Sequence, residues 1–232
     1  MKNYLIIGGS SGIGQSIVQK LSQDEGVHIT STYFSTPVTP DENIRFFHYN
    51  AETDNLAYQD VPDEIHGFVY CPGAITLKPF KRLTEKAVIE DFKLQVVGAM
   101  NAIQAVLPNL TAAKSASIVL FSTVAVQQGF NFHAQVAMSK GAIEGLTRSL
   151  AAEFAPGIRV NCIAPSLTDT PLSERLLNSE EKRKANAERH PMKAIGSPED
   201  SAELAIFLLG EKSKWMTGQI IHMDGGMSSI KM

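Results

Sequence analysis

The 232-residue chain reads as one α/β domain: a doubly wound parallel sheet of about seven strands with helices on both faces. Three observations carry this reading. Short apolar runs rich in β-branched residues alternate with helical patterns along the whole length, the mark of repeated βαβ units and a parallel sheet. A glycine-rich turn stands directly between the first strand and the first helix. No internal repeat, low-complexity stretch or linker interrupts the order, so a single domain spans 1–232.

Taken in order, residues 4–7 form the first strand, and the glycine turn leads into a helix over 13–22. Strands follow at 27–33, 45–49 and 67–70. The segments after the second and third strands are short and hold Pro37, Pro40 and Pro62, so helices there are expected to be stunted or missing. The pattern predicts a long helix over 86–106 that stops before Pro108. A fifth strand at 117–121, a second long helix at 138–154 and a sixth strand at 159–163 come next. Ser197, Pro198, Glu199 and Asp200 supply an N-cap, a proline at the first helical position and acids in the first turn. They open a helix that ends at Gly210. The last strand is 219–223. Crossovers between such parallel strands are right-handed.

Composition narrows the class. Apolar residues at 44% and charged residues at 19% give ample material for a core. A net charge of −3 argues against a dedicated nucleic-acid surface, which needs a basic excess. The first apolar run breaks at Gly8 and Gly9, too early for a signal peptide, and no run of 18 apolar residues offers a membrane span. A cytoplasmic protein without membrane or nucleic-acid partners is expected. Cys71 and Cys162 lie far apart in apolar runs and are expected to be buried thiols. Nothing in the chain supports a metal site.

The first candidate site is the run LIIGGSSGIGQSIVQKL from Leu5. Gly8, Gly12 and Gly14, with Ser10, Ser11 and Ile13 among them, lie between strand and helix. Glycines there let the backbone turn tightly and approach a pyrophosphate, while the helix N-terminus offers free N–H groups and a positive dipole end. The position between strand and helix makes this a Rossmann-type dinucleotide loop.

Four ordered segments extend the reading: GGSSGIG from Gly8, RVNCIAPSLTDTP from Arg159, PMKAIGSPEDSAELAIFLL from Pro191 and TGQIIHMDGG from Thr217. Together they resemble the short-chain dehydrogenase/reductase family, most closely its 3-oxoacyl-ACP-reductase-like members, over nearly the whole chain. The resemblance implies a nicotinamide cofactor and a carbonyl or hydroxyl substrate. It also implies a catalytic Tyr-x-x-x-Lys on the second long helix. Here Lys140 is present but the tyrosine position holds Val136. The family serine falls at Thr123, beside Ser122, and the family asparagine at Gln95. The stretch after the fourth strand reads Tyr70-Cys71-Pro72-Gly73, keeping only the family glycine, and the glycine that follows Pro165 is replaced by Ser166.

Chemistry ranks these departures. In the family, hydride moves between the nicotinamide and the substrate carbon while the tyrosine gives or takes the hydroxyl proton. Lysine lowers the phenol pKa and holds the cofactor ribose. Thr123 can still donate to a carbonyl and Gln95 can still anchor a water, but Val136 cannot transfer a proton. General acid–base catalysis contributes roughly 10²–10⁴-fold. His133, three residues before Val136, and Tyr70 are the alternative donors considered. The resemblance further implies that Thr170 contacts the carboxamide, Pro165 lines the nicotinamide site, Gly73 borders the cofactor and Asn50 pairs with the adenine. The end of the second strand holds neither an acid for an NAD ribose nor a base for a 2′-phosphate. Ser35 and Thr36 favour NADP over NAD.

Three functions are compatible: an oxidoreductase with a replaced proton donor, a cofactor-binding partner or regulatory subunit without turnover, and non-redox chemistry in the same pocket. Residues 166–196 are expected to form a substrate-side lid, with 172–189 covering the pocket. A homo-oligomer, a dimer of dimers, is expected through Val96, Val97, Met100 and Ile103 on one long helix and Ile143, Leu146 and Leu150 on the other.

Overall fold

The computed structural model describes residues 1–36, 38, 44–56 and 61–231. Seven parallel strands stand in the order β3-β2-β1-β4-β5-β6-β7: β1 (Lys2–Ile7), β2 (Val27–Tyr33), β3 (Ile44–His48), β4 (Gly67–Tyr70), β5 (Ala116–Phe121), β6 (Ile158–Pro165) and β7 (Ile220–Met223). The chain starts at the middle, winds outward to β3, then returns to place β4 on the other side of β1. That reversal opens a crevice at the carboxyl ends of the strands, where ligands of such sheets bind.

Strand alternation sorts the core into two layers. Leu5 and Ile7 point to the face covered by α3 (Gly98–Ala112) and α4 (Ala134–Phe154), against Ile103, Val106, Leu110 and Ile143. Tyr4 and Ile6 point to the face covered by α1 (Gly12–Leu21) and α7 (Pro198–Leu209), against Ile17, Val18, Ala205 and Leu208. Helix α7 begins where its sequence predicts. Ser197 Oγ accepts from the Asp200 N–H at 3.1 Å, the Asp200 carboxylate accepts from the Ser197 N–H at 3.2 Å, and Gly210 ends the helix. Among the described residues no helix follows β2 or β3; Pro37 and Pro40 lie outside them.

Three expectations need correction. The long helix predicted over 86–106 is two helices, α2 (Glu85–Phe92) and α3, joined by one wider turn at Lys93–Val97, and α3 continues through Pro108 to Ala112. Proline removes one backbone donor, but Pro108 is exposed, and the buried Val106 and Leu110 on the same helix hold it to the sheet. The second long helix starts at Ala134 rather than 138, so Val136 belongs to its first turn. Finally, Ile103 and Ile143, expected at an interface between copies, are 2% exposed and packed in the chain's own core. Between α4 and α7 two short helices, α5 (Glu174–Leu177) and α6 (Glu180–Glu188), pack on each other. A paired contact from Arg183 to the Asp169 carboxylate, at 2.6 and 3.0 Å, ties α6 to the segment leaving β6.

Candidate active site

The loop after β1 is pinned to β2. The Gly8 N–H donates to Thr32 Oγ1 at 2.8 Å and the Gly9 N–H to the Thr32 carbonyl at 3.0 Å. Gly8 (φ +81°) and Gly12 (φ +53°) adopt the left-handed region that favours glycine. A side chain on Gly14 would strike the Gly8 carbonyl oxygen. Helix α1 then opens without a side-chain cap: Ser11 stands at the N-cap but makes no capping bond, and the first turn holds no acid. Its N–H groups and dipole are left to an anion.

Beside this loop lies a cleft of about 680 Å³. Its walls bring together Ile13, Gly73, Gln95, Thr123, His133, Lys140, Pro165 and Thr170, all singled out in the sequence, together with Val136. Thr170 packs against the loop, 3.4 Å from where a Cβ on Gly12 would stand. Of the loop candidates only Ile13 reaches the cleft wall; Gly8, Ser10, Ser11, Gly12 and Gly14 do not line it, and neither do Ser35, exposed just beyond β2, and Asn50, which follows β3 with its Oδ1 accepting from the Glu52 N–H at 3.0 Å.

Gly73 is flanked by two polar groups. The Gln95 Oε1 and the Lys140 Nζ stand 3.5 and 3.6 Å from where a Cβ on Gly73 would be. Gln95 is fully buried; its amide nitrogen donates to Asp91 Oδ2 at 2.9 Å, and Oε1 has no partner among the described residues. The wider turn aims it inward: the Gly98 N–H donates to the Lys93 carbonyl, five residues back. The Lys140 ammonium has no hydrogen bond or ion pair among the described residues. Burial holds it below the ordinary lysine range, with Cys162, Asp91 and Cys71 pulling the other way.

Of the two strand-end hydroxyls, Ser122 is engaged, donating to the buried Glu144 Oε1 at 2.8 Å. Thr123 Oγ1 accepts from the Ala125 N–H at 3.3 Å, which leaves its own proton available. Val136 is 5% exposed and lines the cleft as hydrocarbon. Tyr70 is not a donor here: its hydroxyl donates to the Leu94 carbonyl at 2.6 Å, and burial raises its pKa. No described tyrosine lines the cleft. Cys71, expected to be buried, is half-buried on the cleft wall, and Cys162 is fully buried. Burial pushes each thiol up to about 12, so both stay protonated near neutral pH. His133 stands at the N-cap position of α4, half-buried, with Nδ1 2.8 Å from the Asn131 carbonyl oxygen and its ring near Phe130.

One pair escaped sequence reasoning. Ser166 Oγ lies 2.8 Å from His190 Nε2, and His190 Nδ1 lies 2.8 Å from the Asn186 carbonyl oxygen. All three residues line the cleft, and His190 is 3% exposed. The replaced glycine at 166 was visible in the sequence, but no motif links it to a histidine 24 residues on. Among the described residues no group of three or more His, Cys, Asp or Glu could hold a metal ion, and no helix is long and apolar enough to cross a membrane.

The family model described as Enoyl-(Acyl carrier protein) reductase matches residues 8–228. A solved short-chain dehydrogenase family protein from Francisella tularensis superposes with a TM-score of 0.87 at 28% identity, covering 99% of this chain and 100% of that one. The chain belongs to the short-chain dehydrogenase/reductase family. Among curated relatives, the uncharacterized oxidoreductase YmfI of Bacillus subtilis is 30% identical over 239 residues, 97% of this chain and 98% of that protein. The 3-oxoacyl-[acyl-carrier-protein] reductase FabG of Aquifex aeolicus is 29% identical over 242 residues, 97% of each chain. The residues present fit the nicotinamide dinucleotide that a short-chain dehydrogenase/reductase uses. The uncapped α1 N-terminus suits its pyrophosphate, and the unpartnered Lys140 ammonium beside the bare Gly73 suits a ribose diol.

Proposed function

We infer that the protein is an NAD(P)-dependent oxidoreductase that acts on a carbonyl or secondary-hydroxyl substrate of 3-oxoacyl type, with a proton donor other than tyrosine. The observation that carries this reading is the Lys140 ammonium and Gln95 Oε1, both without a partner among the described residues, close beside Gly73 and in one cleft with Thr123. Gly8, Ser10, Ser11, Gly12, Ile13 and Gly14 hold the pyrophosphate by backbone N–H groups and close approach. Lys140 donates to the nicotinamide ribose, Thr170 and Pro165 seat the carboxamide end, Gly73 borders the ribose, and Asn50 pairs with the adenine. Thr123 donates a hydrogen bond to the substrate oxygen, and Gln95 anchors a water next to Lys140. When bound, the nicotinamide supplies hydride to the substrate carbon. Residues 166–196 close over the substrate side.

NADP is favoured over NAD. The end of β2 carries no carboxylate to repel a 2′-phosphate, and the exposed Ser35 and Thr36 offer hydroxyls to it. The protein works in the cytoplasm as a homo-oligomer, a dimer of dimers, through the α3 and α4 face where Met100 is exposed and Val96, Val97, Leu146 and Leu150 are half-buried. A monomer by light scattering at micromolar concentration removes that assembly. Val136 in the acid position favours one second reading, a cofactor-binding subunit without turnover. NADPH and NADH fluorescence titrations, run beside oxidation assays over a panel of carbonyls that includes ethyl acetoacetate, decide between them. Tighter NADPH binding with slow turnover is expected. Binding without turnover on any carbonyl selects the second reading, and absence of binding sinks both.

A further inference from the structure

Reduction of a carbonyl needs a proton at oxygen, and few groups in the cleft can move one near neutral pH. Val136 is hydrocarbon and Cys71 holds its proton too tightly, its pKa being about 12. The Lys140 ammonium lies beside Gly73, at the position the oxidoreductase reading gives to the ribose. His133 has one ring nitrogen engaged by Asn131 and no hydroxyl on the other among the described residues.

Ser166 and His190 differ in having a complete chain of contacts. The Asn186 carbonyl can only accept, so His190 Nδ1 carries a hydrogen in every protonation state. Nε2 is then free to change role. In the neutral ring it accepts from Ser166 Oγ–H; in the charged ring it donates to the same oxygen at the same 2.8 Å. The hydroxyl can pass its proton outward and be refilled from behind without rearrangement of heavy atoms. Burial fixes the ring, while Ser166 is half-buried on the cleft wall.

We propose that Ser166 is the catalytic proton donor of this cleft and that His190, acting through it, is the positioning and refilling residue. The proposal rests on the oxidoreductase reading. As hydride from the reduced nicotinamide forms the new C–H bond, the carbonyl π pair takes the Ser166 Oγ proton. Ser166 regains a proton from the Nε2 of the charged His190, and solvent later returns one proton to the imidazole. The oxidation direction reverses each transfer.

The titratable groups that line the same pockets as the ring are Glu188, Arg189 and Lys193 of its own segment, Lys231 of the C-terminal segment, and Cys71, His133 and Lys140 of the cleft; Asp224 precedes Gly225, where a Cβ would stand 3.5 Å from the His190 Cβ. Lys193 pairs with Glu188 at 3.4 Å, and the Asp224 carboxylate accepts from the Gly226 and Ser228 N–H groups. The direct ring partners are therefore the two neutral ones, Ser166 and Asn186.

The test has a readout that needs no turnover. In protein labelled with ¹⁵N-histidine, neutral His190 is expected as the Nδ1–H tautomer, with an Nε2 resonance that moves in Ser166→Ala; an Nε2–H tautomer overturns the proposal. With NADPH and ethyl acetoacetate, Ser166→Ala is expected to lower kcat by roughly 10²-fold or more, within the general-acid range, and Ser166→Thr to recover part of it. His190→Gln, whose amide can hydrogen-bond to Ser166 but cannot refill its proton, is expected to lower kcat as Ser166→Ala does. NADPH affinity by fluorescence stays at the wild-type value in all three variants. Full kcat in Ser166→Ala and His190→Gln at unchanged NADPH affinity overturns the relay and leaves the oxidoreductase reading standing. Collapse in His133→Ala with an indifferent Ser166→Ala does the same. A wild type that binds neither NADPH nor NADH overturns both.

Discussion

The two ends of the cleft are built from different materials. At the β1–α1 end the working parts are backbone: glycines at positive φ, an uncapped helix start and a carbonyl so close to Gly14 that no side chain fits. At the Val136–Ser166 end the working parts are side chains drawn from distant stretches of chain: Thr123 after β5, Ser166 after β6 and His190 beyond α6. The first end leaves little room for substitution: an atom added at Gly14 meets the Gly8 backbone, and Gly8 and Gly12 hold positive φ angles that side chains rarely adopt. The second can exchange one proton-carrying group for another while the scaffold stays put. The proposed binding and proton-transfer roles thus fall to different ends of the cleft, and variants at each end test them separately.

The largest effect is expected at Gly14. In Gly14→Val the added carbons displace the Gly8 carbonyl and the loop with it, so NADPH binding by fluorescence is expected to disappear, with the circular dichroism spectrum kept. A folded Gly14→Val protein that binds NADPH as tightly as wild type would show that the loop is not the phosphate site. At the other end the expected effect is a gain. Val136→Tyr places a phenol one helical turn before Lys140, and in a Ser166→Ala background it should return part of the roughly 10²–10⁴-fold acid contribution. In wild type the gain is smaller, because a donor is already present and a ring must fit a valine-sized space. Steady-state kcat of the four combinations measures both. Equal gains in the two backgrounds would mean that the phenol and Ser166 do not share one task.

Lys140 sits between the two ends and gives the smallest effect. Lys140→Met should weaken NADPH binding about tenfold, near the lower range for a hydrogen bond from a charged group. The pH dependence has a definite sign. Burial lowers the folded-state value of Lys140, so wild-type affinity holds below that value and falls as pH rises through it, earlier than for an ordinary lysine. Stability without cofactor moves the other way. The unfolded chain keeps the proton to higher pH, so the cost of the buried charge fades over the same interval. Lys140→Met should show neither trend in NADPH titrations and thermal melts taken across the alkaline range.

Much of the backbone-built end could be read directly, since glycine spacing between strand and helix records the turn itself. The Ser197 cap was equally legible because its partner Asp200 is three residues away. What escaped depends on contacts the linear order hides. The passage of α3 through Pro108 depends on the burial of Val106 and Leu110. The early start of α4 carries no capping signal, since His133 makes no side-chain cap bond. Ile103 and Ile143 looked like interface residues until the sheet was in place beneath them. Ser166 and His190 meet only because α5 and α6 fold back between them.

The wide turn at Lys93–Val97 has a consequence for how this site changes over generations. With the Gly98 N–H reaching back five residues, the turn contains one residue more than a regular helix needs. Deleting Gln95 would let α2 and α3 close into one ordinary helix with both flanking segments still seated on the sheet. The fold would survive, and the amide beside Lys140 would vanish with no amino acid replaced. At this point of the molecule the number of residues in the turn, as well as the identity of residue 95, decides whether that functional group is present.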